Sequence, residues 1–277
     1  MRRNCFALIL FALLAACGAP GAAAPPPAAS PAPPLKGRIT FAGSTTVQPL
    51  VDKLGAAFRE RHPQVSLEVA AGGTAVGITA IKDGTVDIGM ASRELLAGEG
   101  DHLTRHHIAS DVLAVVVHPS NPVANLSLAQ LRDIYQGRVD SWRALGGPDL
   151  PIVPVVRERS SGTRLAFEEL ALGKQEPIGA RLQTAVTAGD AAAIVRADPR
   201  AIAYVGFGNL DGSLKPLAID GAAPELELVR AGRYRLVRPL LLLSGPLSQP
   251  LAGEFINFVL SPEGQRLVGE DGWVPAR

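Results

Sequence analysis

The run Arg157-Glu158-Arg159-Ser160-Ser161-Gly162-Thr163-Arg164 holds the densest set of groups capable of chemistry in this 277-residue sequence. It follows the apolar stretch Ile152-Val153-Pro154-Val155-Val156 and precedes a helical pattern of Leu165, Phe167, Leu170 and Leu172. That places it where a strand ends and a helix begins. A helix start exposes unpaired backbone N–H groups and carries a partial positive charge. Ser161 and Thr163 add hydroxyls, Gly162 permits close backbone approach, and the arginines supply planar, permanently charged donors. Such an arrangement suits a small oxyanion. Taken alone, it also fits a capped surface helix with solvated arginines.

The elements that must position this run alternate between two periodicities. Strands are expected at 37–42, 65–69, 86–90, 111–117, 152–156, 202–206 and 239–243, where apolar residues alternate or run together. Helical spacing recurs between them. Val47, Leu50, Val51, Leu54 and Phe58 mark one helix, and others are expected at 76–83, 126–136, 190–197, 251–260 and 262–269, with a short one around Trp142. Alternation of this kind predicts an α/β fold with largely parallel sheets, in which ligands sit beyond the carboxyl ends of strands. Two more strand-to-helix junctions have the same composition as the first: Gly43-Ser44-Thr45-Thr46 and Gly72-Gly73-Thr74-Ala75-Val76-Gly77. A fourth strand end, Gly89-Met90-Ala91-Ser92-Arg93, carries a hydroxyl and an arginine. One Ser/Thr-capped junction is commonplace, because these residues are favoured N-caps. Three, with an arginine-bearing strand end, predict convergence on one anion.

The beginning of the chain points to export. Arg2 and Arg3 precede the apolar stretch Phe6 to Leu14, which is too short to span a bilayer as a helix. Leu14-Ala15-Ala16-Cys17 resembles a lipobox, so residues 1–16 are expected to form a lipoprotein signal peptide and Cys17 to carry the lipid. An ordinary signal peptide cut near the Ala-rich site is the alternative. Residues 17–36, almost entirely Ala, Pro, Gly and Ser, read as a tether that cannot bury a core. Beyond Cys17 there is no cysteine, which excludes a disulfide or a cysteine-built metal site in the mature domain. Charge is nearly balanced: without Arg2 and Arg3 the 27 basic residues fall to 25, against 26 acidic. No basic run suggests nucleic acid, and any anion must be drawn by a local site.

From about Gly37 to Pro275 the chain resembles the phosphate-binding proteins of bacterial ABC transporters. The segment 39–50, Ile-Thr-Phe-Ala-Gly-Ser-Thr-Thr-Val-Gln-Pro-Leu, is similar to that family's first phosphate loop. The segment 86–93 resembles its third-strand motif, and 157–164 its arginine and Ser-Gly-Thr loop. Residues 201–206, Ser261-Pro262-Glu263-Gly264-Gln265 and Gly272-Trp273-Val274-Pro275 resemble later family motifs. The resemblance implies a two-lobed periplasmic-binding-protein fold with two mainly parallel sheets and a hinge. One lobe would comprise 37–115 plus 237–277 and the other 116–236, with the crossovers near 111–117 and 239–243. It implies anion contacts from the Thr45 hydroxyl, the Thr46 N–H, Thr74, Arg157, Ser161, the Gly162 N–H and Thr163. Ser44, Ser92 and Arg93 are weaker candidates. It also implies a periplasmic or extracytoplasmic monomer without a cofactor or bound metal, serving separate permease chains.

Two departures bear on the ligand. Thr74-Ala75-Val76 stands where relatives are richer in glycine, and Ser92 where many carry a carboxylate. Phosphate is the first expectation, with arsenate, sulfate or a metal oxyanion as alternatives. A sensory or adhesion role is a further alternative. A phosphatase using Ser161 is disfavoured, because no Gly-x-Ser-x-Gly elbow or evident base accompanies it. His102, His106 and His107 are expected to be exposed residues of a loop or helix. Trp142 and Trp273 are expected to pack, Glu158 and Arg159 to form a solvated pair, and Asp87 to act as a structural acceptor.

Overall fold

The computed structural model describes residues 34–179 and 181–276, so the expected signal peptide, Cys17 and the tether up to residue 33 lie outside the described residues. The described chain folds, in order, as β1 (Lys36–Gly43), α1 (Gln48–Arg61), β2 (Gln64–Ala71), α2 (Thr74–Lys82), β3 (Ile88–Ala91), β4 (Thr104–Val117), β5 (Asn125–Leu126), α3 (Leu128–Tyr135), β6 (Val153–Arg157), α4 (Gly162–Leu170), β7 (Gln183–Ala185), α5 (Ala188–Ala197), β8 (Ala201–Gly206), β9 (Lys215–Pro216), β10 (Ala218–Ile219), α6 (Leu226–Arg230), β11 (Val237–Ser244), α7 (Pro250–Leu260), α8 (Pro262–Glu270) and β12 (Val274–Pro275); β5, β7, β9, β10, α6 and β12 add to the anticipated runs. A 3-10 turn occupies Trp142–Leu145, where the short helix was expected.

The strands hydrogen-bond in the order β2-β1-β3-β11-β4-β8-β6-β7. Both flanks are parallel: β1 pairs with β2 and β3 on one side, and β6 with β7 and β8 on the other. The centre is antiparallel, because β11 runs against both β3 and β4, and β4 runs against β8. Two parallel sheets are thus joined through two crossover strands into one continuous ladder. β4 makes the join. Its first part, from Thr104, pairs with β11, and Leu113–Val117 pairs with β8.

Each flank has its own core. In the first, Phe41, Phe58 and Phe255 meet edge to face at 5.3 and 5.4 Å, among Ile39, Leu50, Leu54 and Ile88. In the second, Phe167 stacks on Tyr204 at 3.9 Å with Tyr135 beside them, above Trp142 and Ile202. Full burial of each such aromatic contributes roughly 1.5–3 kcal/mol. β4 serves both, giving Ile108 and Ala109 to the first core and Val112, Leu113 and Val115 to the second. The tryptophans pack as expected: Trp142 and Trp273 are both buried. Asp87 Oδ2 accepts from the N–H and the hydroxyl of Thr40, both at 2.8 Å, as a structural acceptor.

The histidine stretch differs from its sequence reading. His106 and His107 lie in β4, and only His102 precedes it. Thr104-Arg105-His106-His107 lacks apolar alternation, so nothing local announces a strand. Pairing with Leu241–Ser244 on β11 makes it one, and half-buried His106 reaches the Ser244 hydroxyl at 2.8 Å.

The crossover strands are pinned by a buried ion pair. Asp111 on β4 and Arg238 on β11 are register partners. Arg238 Nε and Nη2 lie 3.0 and 2.8 Å from Asp111 Oδ2, and Asp111 Oδ1 accepts from Phe207 N–H at 2.9 Å. Removing one partner of such a pair leaves a buried charge uncompensated. Asp111→Asn is therefore expected to cost about 3–5 kcal/mol in urea unfolding. A double change to Asp111→Leu with Arg238→Met should recover most of that loss, because no buried charge then remains.

Candidate oxyanion-binding site

The site is assembled from strand ends. β1 stops at Gly43, whose φ is +132°, and its loop carries Ser44, Thr45 and Thr46 into α1. Val47 offers no side-chain cap to α1, so the hydroxyls before it are not consumed as N-caps. β2 ends at Ala71, and Gly72-Gly73 turns the chain into α2, placing Thr74 at the first helical position. Gly73 has φ +84° and no side chain to cap the helix. In the other half, β6 ends at Arg157, and Ser161 caps α4 by accepting from Arg164 N–H at 3.3 Å. Gly162 and Thr163 open that helix, and their N–H groups have no intrahelical acceptor.

Hydrogen bonds of Thr45 and Thr46 bring these ends together across the cleft, and Thr74 meets Gly162 there by close approach. Thr46 Oγ1 lies 3.0 Å from Thr163 Oγ1. Thr45 Oγ1 accepts from Arg157 Nη2 at 3.3 Å and from Ala188 N–H at 3.2 Å. Thr74 Oγ1 accepts from Ser92 N–H at 3.1 Å, and a Cβ on Gly162 would overlap it. The tyrosine core reaches the same place, since Tyr204 Oη accepts from Arg157 N–H at 3.1 Å.

Arg157 dominates the electrostatics. Its side chain is 2% exposed. Nε donates to Ala185 O at 3.3 Å and Nη2 to Val186 O at 2.8 Å, while Nη1 makes no hydrogen bond among the described residues. Glu158 Oε1 is 3.7 Å away and more exposed. Burial pushes the guanidinium below its ordinary pKa, against the opposing influence of Tyr204 and Glu158. A buried cation with incomplete counter-charge is stabilised by any anion that reaches it. Thr45 is fixed as a donor toward such an anion: both hydroxyl lone pairs are engaged, which leaves its proton free.

Several expected residues take other parts. Ser44 Oγ accepts from Thr46 N–H at 3.3 Å, so Ser44 shapes the loop and the Thr46 N–H has an internal partner. Ser92 packs against Thr74 and beneath Gly162. Arg93 does not join the cluster. Its two Nη atoms grip Glu99 at 2.7 and 2.9 Å, and Nη1 also donates to Glu94 O. That pair holds the Glu99 carboxyl below its usual range. Arg159 pairs with Glu176 rather than with Glu158, which instead accepts from Ser160 Oγ at 2.5 Å.

Two charged residues behind the cluster escaped the sequence reading. Arg238 Nη1 donates to Ser92 O at 3.3 Å, so the crossover ion pair also fixes the third strand end. A Cβ on Gly206 would sit 2.6 Å from Asp111 Oδ2 and 2.7 Å from the Thr46 methyl, so only glycine lets that pair and Thr46 approach together. The signal was a charge at the entry of each apolar crossover run.

Residues 28–263 match the PBP superfamily domain. The phosphate-binding protein PstS of Bacillus subtilis is 32% identical over 244 residues, covering 86% of this chain and 81% of its own length. A Clostridium perfringens substrate-binding protein of the phosphate ABC transporter type, solved with bound phosphate, superimposes with a TM-score of 0.84 at 35% identity, over 87% of this chain and all (100%) of that one. An ABC-type phosphate transport receptor from Vibrio cholerae gives a TM-score of 0.70 at 33% identity, over 85% and 99%. The chain belongs to the PBP superfamily, among the phosphate-binding proteins of ABC transporters. The two-lobed fold read from the resemblance is thus the fold of the family.

Gly162 marks a close approach between the two halves of the site. Its Cβ would overlap Thr74 Oγ1 and lie 2.9 Å from Ser92 Oγ, yet its own backbone is helical and accepts alanine. Gly162→Ala is expected to keep the N–H and the fold while weakening phosphate binding about tenfold or more. That is the scale of an overpacking clash of ~1–3 kcal/mol. Calorimetric titration beside a thermal melt checks this: the melting temperature should hold while the affinity falls.

Proposed function

We propose that this chain captures inorganic phosphate between two lobes, residues 37–115 plus 237–277 and residues 116–236, and delivers it to the permease of an ABC importer. The observation that carries the reading is the buried Arg157, whose Nη1 meets no hydrogen-bond acceptor among the described residues and has helix starts of both lobes around it. Phosphate offers the oxygens such a site needs. The guanidinium supplies parallel donors, and the hydroxyls of Thr45, Thr74, Ser161 and Thr163 and the N–H groups of Gly162 and Thr163 supply the rest. β4 and β11 are the hinge in this reading, because β4 runs from the first lobe into the second, β11 begins where the chain returns at residue 237, and the two are locked in register by Asp111 and Arg238.

The position of Ser161 supports binding over turnover. Its oxygen caps α4, so its proton is available to donate to an oxyanion, which favours a donor role for the residue. The N-terminal segment completes the reading: cleavage before Cys17 and lipidation there would hold a monomeric protein at the outer face of a membrane, on an Ala/Pro-rich tether. Globomycin-sensitive processing and a mass shift on Cys17→Ser would test that anchor.

The ligand assignment is tested by calorimetric titration of residues 34–277 with phosphate, arsenate and sulfate. One phosphate per chain is expected, with no measurable binding to Arg157→Ala and at least a tenfold loss in Arg157→Lys, whose ammonium cannot reproduce the planar donor pair. Sulfate binding without phosphate binding would overturn the choice of anion. Unchanged affinity in Arg157→Ala would overturn the role of that residue.

A further inference from the structure

Two helix starts in this structure are capped from the opposite lobe. α2 begins behind Gly73, which has no side chain, and Ala75 N–H donates instead to Ser160 O at 3.1 Å. Ser160 strengthens the same junction, since its Oγ lies 2.9 Å from Gly72 O. In the reverse direction, Thr45 Oγ1 accepts from the N–H of Ala188, the first residue of α5. Orphan N–H groups at a helix start must find some acceptor. Here each lobe supplies one to the other.

Thr45 belongs to the anion cluster, but Ser160 does not. Its carbonyl and hydroxyl both face the Gly72–Ala75 turn, and a Cβ on Gly73 would meet Ser160 Oγ at 2.6 Å and Ser160 O at 2.8 Å. Ser160 is half-buried at the rim, three residues beyond Arg157. Its single hydroxyl proton has two acceptors within reach, Gly72 O across the cleft and Glu158 Oε2 in its own loop. We propose that Ser160 is a positioning residue for phosphate capture: it latches the lobes through Gly72 and Ala75 and sets how long the anion stays bound, without touching it. The inference rests on the two-lobe capture reading above.

A latch that is made only in the closed form shifts the closing equilibrium by its own worth. A neutral hydrogen bond contributes enough for roughly a three- to tenfold change. In Ser160→Ala, the phosphate dissociation constant is expected to rise by roughly that factor. The change should lie in the dissociation rate, measured by stopped-flow chase, with the association rate and the phosphate-to-arsenate preference unchanged. Ser160→Thr keeps the hydroxyl and should restore the rate. Small-angle scattering without phosphate should show Ser160→Ala more open than the parent. An unchanged dissociation rate, or an altered phosphate-to-arsenate preference, would overturn the latch. Should the parent protein bind no phosphate, the capture reading fails separately, and equal scattering of parent and variant then overturns the latch.

Discussion

The structure depends on a charge held where water cannot fully solvate it. Taking a guanidinium out of water costs several kcal/mol unless partners replace the lost hydration. Arg157 has only part of that replacement: two backbone carbonyls, one threonine oxygen and a carboxylate at 3.7 Å. All but the Thr45 contact come from its own lobe. Only Thr45 of the first lobe adds to its partners, and the proposed oxyanion would supply what is still lacking. In the proposed reading this asymmetry couples anion capture to lobe closure, because the same side chain serves both.

The second buried arginine solves the opposite problem. Arg238 is matched closely by Asp111, and burial and the carboxylate pull its pKa in opposite directions. Its remaining donor holds Ser92 O. A neutralised pair in the crossover strands gives a rigid, charge-silent platform behind the cluster. Arg157 can then be the uncompensated cation without a second one competing for the anion. Arg93 is silenced in the same way by Glu99, at the mouth of the third strand end.

Sequence reading reached the parts of this arrangement that local chemistry dictates. The strand-to-helix junctions at Ser44, Thr74 and Arg157 were legible because Gly, Ser and Thr have fixed reasons to stand there. The cores were legible because Ile39 and Phe41, or Leu50 and Leu54, repeat with the period of their element. What stayed hidden is set by partners far along the chain. Thr104 to His107 becomes a strand only because β11 lies beside it. Arg93 looked like an anion ligand because its side chain follows a ligand-like motif, but Glu99 six residues later claims it. Asp111 and Arg238 are 127 residues apart, and no local pattern couples them.

Near-neutral overall charge constrains how such a site works. With one formal charge of excess over the full chain, the surface generates no broad field to steer an anion. Attraction is confined to the cleft, and exposed pairs such as Arg143 with Asp149 are screened and contribute little. Specificity then falls to hydrogen-bond polarity. Thr45 is compelled to donate because Arg157 and Ala188 occupy its lone pairs, and Ser161, with one lone pair taken by Arg164 N–H, keeps its proton free to donate. The Gly162 and Thr163 N–H groups can only donate. A cluster so biased toward donors disfavours neutral or donor-bearing solutes, whose own protons would find no acceptor. It selects oxyanions by leaving every other ligand with unmatched groups.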